Sequence, residues 1–179
     1  MSQDTKERLL KFLREHSEDR AVLANLRCAL RDKLKHRAWP VLARFGGIDD
    51  HAKEYDHHAK VVQTLAGLFG SHPKEIFNED FGSQCLKLMD EEERRRYYSK
   101  KPEDAKYAGP MAKRFQYLLS SEPEEICDRA IRFVLHMKAK DIPVNYDELF
   151  DGLLFWGDRI KAKWAGSFWS APLMEEVVE

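Results

Sequence analysis

Residues 149–169 read LFDGLLFWGDRIKAKWAGSFW. Leu149, Leu153, Trp156, Ile160, Trp164 and Phe168 recur at steps of three or four, the spacing that lines one face of an α-helix. Just before them, Asn145-Tyr-Asp-Glu148 puts an N-cap amide three residues ahead of a carboxylate, a capping signal. The segment predicts a capped helix with a Trp-rich buried stripe, bent near Gly157. Trp169 falls off the stripe and is the freer ring.

The same period runs outward through the chain. Leu9, Leu10 and Leu13 predict a short first helix, and Leu23, Leu26, Leu30 and Leu34 trace one stripe of a second. Trp39, Leu42 and Phe45 follow, up to a break at Gly46–Gly47. Tyr55, His58, Val62, Leu65 and Phe69 predict a long third helix, stopped by Gly70 and Pro73. A further helix is expected from Phe81 to about Tyr98, and another starts at Pro110 with Phe115, Leu118 and Leu119. Ser121-Glu-Pro-Glu124 has the form of a capping box before a helix over 126–140. Alternating, strand-like runs are almost absent. The expected fold is all-α: a compact bundle of about seven to nine helices without significant β-sheet, one domain over residues 1–179. Within it, residues 1–17 read as an N-terminal extension helix, 99–109 as a flexible loop and 170–179 as a frayed tail.

Composition narrows the class. At 43% hydrophobic and 34% charged, the 179-residue chain is globular, with unusually much solvated or partner-facing surface. The net charge of −1 excludes a globally basic nucleic-acid binder, but the charge is uneven. Residues 1–44 hold 11 Lys and Arg against 6 Asp and Glu, and residues 81–120 hold 9 against 6. The other two stretches, 45–80 and 121–179, are acidic. Cys28, Cys85 and Cys127 form no CxxC, which fits a reducing cytosol and buried small hydrophobes. The charged N-terminus is not a signal peptide, and no apolar run approaches a membrane span.

No catalytic motif stands out. His51, His57 and His58 cluster with Asp49, Asp50 and Asp56, but no His-Asp dyad or HExxH occurs, and His58 sits on an apolar stripe as a core histidine would. There is no phosphate-binding glycine loop and no nucleophile elbow. Glu91–Glu93 beside Arg94–Arg96 read as a solvated face with local ion pairs. No metal or other cofactor is expected.

The basic residues are more informative. Arg20, Arg27 and Arg31 share a stripe roughly 100° around the helix from Leu23, Leu26 and Leu30. Such a helix buries one edge and offers guanidinium groups, suited to bidentate phosphate binding, on the next. Lys113 and Arg114 precede Phe115. Arg129 and Arg132 lie one turn apart, as do Arg159 and Lys163. By pattern alone these are either a phosphate-contacting surface or ordinary exposed charges.

Four blocks in order then resemble one family. They are LANLRCAL followed by Trp39–Pro40; AKRFQYLLSSE; DRAIRFVLHMK; and the 149–169 segment preceded by Ile142-Pro-Val-Asn-Tyr146. Together, over about Arg20 to Phe168, they resemble the CasB family, the small subunit of the type I-E CRISPR surveillance complex Cascade. The resemblance implies a non-catalytic, all-helical cytoplasmic protein of prokaryotes, present as a pair. Its implied partners are the backbone and large subunits of Cascade, the guide RNA, and the target and displaced DNA strands. Arg27, Arg31, Arg114, Arg132 and Arg159 lie in matched blocks and are the carried-over nucleic-acid contacts. Lys113, which replaces the first Arg of its block, Arg129 and Lys163 are added from helix geometry. The charged stretch 90–109 is longer than the family's usual connection, and the extension before residue 18 is unmatched. A free-standing helical DNA-binding protein, a purely structural helical adaptor and a metal phosphohydrolase at His51, His57 and His58 remain as alternatives from the residues alone.

Overall fold

The computed structural model describes residues 2–48, 55–104 and 106–169. Ten α-helices form among them: α1 (Ser2–Glu15), α2 (Arg20–Arg27), α3 (Trp39–Leu42), α4 (His57–Ser71), α5 (Phe81–Leu86), α6 (Glu91–Tyr97), α7 (Pro110–Leu119), α8 (Ile126–Ala139), α9 (Tyr146–Leu154) and α10 (Asp158–Trp169). Among the described residues the extended pairing is a single parallel bridge between Glu75 and Val144, so the fold is all-α as expected. Asp49, Asp50, His51 and the tail 170–179 lie outside the described residues.

Helix α4 is the axis. Asp56 caps it by accepting from the Ala59 amide at 3.0 Å. Val61, Val62, Leu65, Leu68 and Phe69 are fully buried, because α1, α2, α8 and α9 pack around the helix. Gly70 does not stop α4 but lies inside it. Helix α1 joins this core through Leu9, Leu10 and Leu13, and ion pairs fix its outer side. Arg14 bonds Glu75 at 2.9 Å and Asp147 at 2.6 Å, and Lys6 bonds Asp151 at 2.7 Å.

Several expected helices are interrupted, each for a local reason. Helix α2 ends at Arg27. The chain then tightens into a 3-10 turn at Cys28–Leu30, and Arg31 is extended. Gln63 of α4 donates to the Ala29 carbonyl at 2.9 Å, which supplies a partner that a continuing helix would otherwise provide. Leu23 and Leu26 are buried, whereas Leu30 and Leu34 are only half-buried. The helix expected over 81–98 divides in two because Asp80 and Asp90 each act as an N-cap, accepting from Ser83 and Glu93 amides at 2.9 and 2.7 Å. Between them a turn buries Leu88 and Met89.

The capping signals divide likewise. Asn145 caps α9, its side chain accepting from the Glu148 amide at 3.2 Å. Ser121 does not cap α8. It is buried, and its hydroxyl donates to the Leu118 carbonyl at 2.6 Å. The Glu125 carboxylate instead closes the turn by accepting from the Glu122 amide at 3.0 Å.

The 149–169 segment forms two helices rather than one bent helix. Helix α9 ends at Leu154, and Trp156 turns inward to donate its indole N–H to the Ser121 carbonyl at 2.8 Å. Trp164 is fully buried with its ring against Phe81 and Trp156. Gly82 and Gly152 form the walls of its slot: a methyl on Gly82 would overlap the Trp164 backbone, and one on Gly152 would overlap its ring. Phe168 stacks on Phe115 with centroids 4.1 Å apart, carrying the contact on to α7. Trp169 is 39% exposed.

Glu93 departs from the expected solvated face. Arg95 and Glu92 do pair across one turn at 2.8 Å, but Glu93 is buried. Its carboxylate accepts from the amides of Met111 at 2.9 Å and Ala112 at 3.0 Å. It therefore caps α7 from another helix, favoured by the positive end of the α7 dipole, where Gly109 supplies no side-chain cap. In the following stretch, Arg96 bonds Asp104 at 2.9 Å and lies 3.5 Å over the ring of Tyr107.

Trp164→Ala is expected to cost about 3–5 kcal/mol of stability by emptying this slot, and Gly152→Ala about 1–3 kcal/mol by overfilling it. Urea denaturation measures both. Glu93→Ala leaves two amides at the head of α7 without their partner and is expected to cost about 1–3 kcal/mol. Faster hydrogen exchange at Met111 and Ala112, relative to α8, is the local signature.

Candidate nucleic-acid interface

Helices α7 and α8 pack side by side, and their amphipathic patterns leave a groove along the seam. Met111, Leu118 and Phe133 form its apolar floor, and Arg114, Arg129, Arg132, His136 and Tyr117 line it further. The groove encloses about 330 Å³. Arg114 and Arg132 are exposed, one on each helix, and among the described residues neither has a carboxylate partner. The packing of α7 on α8 brings both to one groove, which neither helix reveals alone.

Arg129 sits on the same seam but is committed internally. It donates to the Tyr117 carbonyl at 2.6 Å and the Ser120 hydroxyl at 3.1 Å, and pairs with Glu125 at 2.9 Å. Its guanidinium lies 3.8 Å from the centre of the Tyr117 ring, a cation–π contact. Lys113 is exposed on α7 but does not line the groove. Burial holds the His136 imidazole below the usual histidine range, and the positive charges of Lys140 and Arg114 push the same way. The lowered pKa favours the neutral imidazole.

A second basic groove runs beside α2. Ala24, Arg27, Cys28, Arg31, Leu34 and Arg37 line about 220 Å³. Arg27 is placed by a close helix contact. Gly70 of α4 abuts the Arg27 backbone, so a methyl at Gly70 would meet its amide nitrogen at 2.8 Å. The α-to-3-10 transition, rather than a continuous stripe, then turns Arg31 and Arg37 toward the same hollow. Arg27, Arg31 and Arg37 are exposed and have no ion-pair partner among the described residues. Arg20, on the expected stripe, does not line this groove.

The α10 candidates lie elsewhere. Arg159 is exposed but shares its hollow with Glu148 and Asp151, which disfavour an anion there. Lys163 is paired with Glu148 at 2.6 Å. Of the eight sequence candidates, Arg114, Arg129 and Arg132 come together, Arg27 and Arg31 come together, Arg159 and Lys163 share a hollow with Glu148 and Asp151, and Lys113 lines none of these hollows. Arg37, His136 and Tyr117 were missed. His136 follows Arg132 by four residues and Tyr117 follows Arg114 by three, so helical spacing carried a signal for both. Arg37 carried none, because an irregular segment brings it in.

The other candidate chemistry is differently placed. His57 bonds the Leu153 carbonyl through Nε2 at 2.7 Å, and His58 lies against Gly46. Among the described residues no three metal-ligating side chains assemble. Cys85 and Cys127 are buried, and burial pushes the Cys127 thiol up to about 11 and the Cys85 thiol well above its ordinary value. No described helix is long and apolar enough to cross a membrane.

Comparison with known proteins agrees with this architecture. The family described as CRISPR-associated protein Cse2 matches residues 22–169. The fold is similar to that of CasB from Thermus thermophilus, with a TM-score of 0.65 at 17% identity, covering 93% of this chain and 98% of that one. CasB from M. ruber gives 0.64 at 22% identity, covering 93% of each chain. CasB from Thermobifida fusca gives 0.62 at 19% identity, covering 94% of this chain and 97% of that one. No curated protein sequence matches. The family match spans both basic grooves and the Trp164 slot between its limits, and the chain belongs to the Cse2 family of CRISPR-associated proteins, the CasB family that its four sequence blocks resemble.

Proposed function

We propose that this protein is the non-catalytic small subunit of a type I-E Cascade complex in the prokaryotic cytoplasm. In that role it contacts nucleic-acid backbone and stabilises both the guide RNA–target hybrid and the displaced DNA strand. Its partners are the backbone and large subunits, a second copy of itself, the guide RNA and the two DNA strands. The observation that carries this reading is the pair of grooves that gather exposed arginines without carboxylate partners among the described residues: Arg114 with Arg132, and Arg27 with Arg31 and Arg37. By contrast Arg14, Arg95, Arg96 and Arg129 are each met by a carboxylate.

The physics suits an auxiliary subunit. Base pairing reads the target sequence, while protein contributes sequence-neutral backbone contacts. Each phosphate contact releases counterions and adds salt-dependent affinity. Exchange of a DNA duplex for an RNA–DNA hybrid is nearly balanced, so a few contacts to the displaced strand tip it toward the open state. Net charge near zero fits this division of labour, since a subunit inside an assembly need not capture DNA alone.

Reversing charge at Arg27, Arg31 and Arg114 together is expected to weaken target-duplex opening by the assembled complex while assembly stays intact. Permanganate footprinting of the displaced strand, alongside native mass determination of the complex, measures both. Unchanged strand opening would remove these residues from the function.

The groove also has a proton linkage. A phosphate seated beside Arg114 and Arg132 favours charged His136, so binding takes up a proton and strengthens as pH falls from 7.5 to 5.5. His136→Gln is expected to flatten that part of the dependence in binding titrations of the full chain with single-stranded DNA.

A further inference from the structure

The α7–α8 groove is more than a basic strip, and its shape bears on what lies in it. Phosphate contacts alone need exposed cations and no cavity. Here the cations rim a hollow with an apolar floor of Met111, Leu118 and Phe133. Its volume of 330 Å³ falls at the small end of the roughly 300–1,000 Å³ of small-molecule sites.

The wall of the hollow is a prepared aromatic surface. Tyr117 is 56% exposed, a large amount for a ring that could have packed inward. Arg129 covers it at 3.8 Å and is itself held at three points, by the Tyr117 carbonyl, Ser120 and Glu125. A ring backed in this way loses little freedom when something stacks on its exposed side. Flat heteroaromatic groups joined to phosphates are the chemistry that this combination recognises. An acidic peptide would use Arg114 and Arg132 but neither the platform nor the floor. A duplex presents its phosphates but keeps its bases stacked away.

We propose that the α7–α8 groove seats an unstacked nucleobase of a single strand against Tyr117, with the flanking phosphates held by Arg114 and Arg132. This rests on the nucleic-acid role proposed above and specifies it: the groove binds a strand with its bases free, not duplex backbone. Stacking makes no demand on base identity, so the site is sequence-tolerant.

The test uses the full chain and three probes of equal length: oligothymidylate, the same strand with abasic sites throughout, and a duplex. Affinities are measured by anisotropy at fixed low salt. Oligothymidylate is expected to bind about tenfold more tightly than the abasic strand. Tyr117→Ala should abolish that preference, Tyr117→Trp should keep it, and Arg114→Ala with Arg132→Ala should weaken both single strands. Equal binding of the base-bearing and abasic strands, still lost in the arginine variant, overturns the base-seating proposal and leaves backbone contact standing. No loss in the arginine variant overturns the groove's nucleic-acid role as well. Retained strand binding by Tyr117→Ala, with loss of a protein subunit from the assembled complex, identifies the groove as a protein-docking surface and overturns the proposal.

Discussion

Trp164 in its slot holds together elements that are far apart in the chain. The missing side chain of Gly152 makes room for the indole against α9, and that of Gly82 lets α5 approach the Trp164 backbone. Phe81 and Trp156 pack on the indole as tilted rings, and Trp156 in turn ties the 155–157 turn to the Ser121 carbonyl. The Phe168–Phe115 stack then carries α10 onto α7. Each ring is large and apolar, so its burial supplies much of the stability of this half of the molecule. The seam of α7 with α8 is set by the same packing, so the candidate groove depends on aromatic residues that no nucleic acid would touch.

The other half depends on α4. Its apolar character extends around most of its surface, which forces it to the centre and brings α1, α2, α8 and α9 to its sides. The close contact at Gly70 draws the end of α2 inward and fixes the Arg27 backbone. Beyond that point the Gln63 bond to Ala29 supports a tight turn, and the turn makes a groove of Arg27, Arg31 and Arg37. Close packing of small residues thus sets the position of an exposed charged surface.

Charge is sorted by the same logic. Lys6, Arg14, Arg95, Arg96, Arg129 and Lys163 are met by carboxylates brought from nearby turns or distant helices. Among the described residues Arg27, Arg31, Arg37, Arg114 and Arg132 are not, although the chain carries nearly equal numbers of acids and bases. Surface ion pairs contribute little to stability one by one, so leaving five guanidinium groups unpaired costs the fold little and keeps them available for phosphate.

Helical class was legible in the chain itself because amphipathic spacing is a local property, and so were the Asn145 cap and the buried Leu and Trp stripes. Helix ends were less so: Asp90 starts a helix inside a stretch whose period reads as continuous, and Trp156 donates to a carbonyl 35 residues away. The basic residues were visible as types and spacings, and four blocks pointed to the family. Which of them share a surface was settled only by the tertiary structure. Arg114 and Arg132 line one groove because α7 and α8 pack together. Arg129 and Lys163 meet Glu125 and Glu148, and Glu93 turns inward to cap a helix that begins 17 residues later. The physical reason is range: periodicity is fixed by neighbours three or four positions apart, whereas a groove, an ion pair or a cap between helices depends on where the core packing brings distant backbone together.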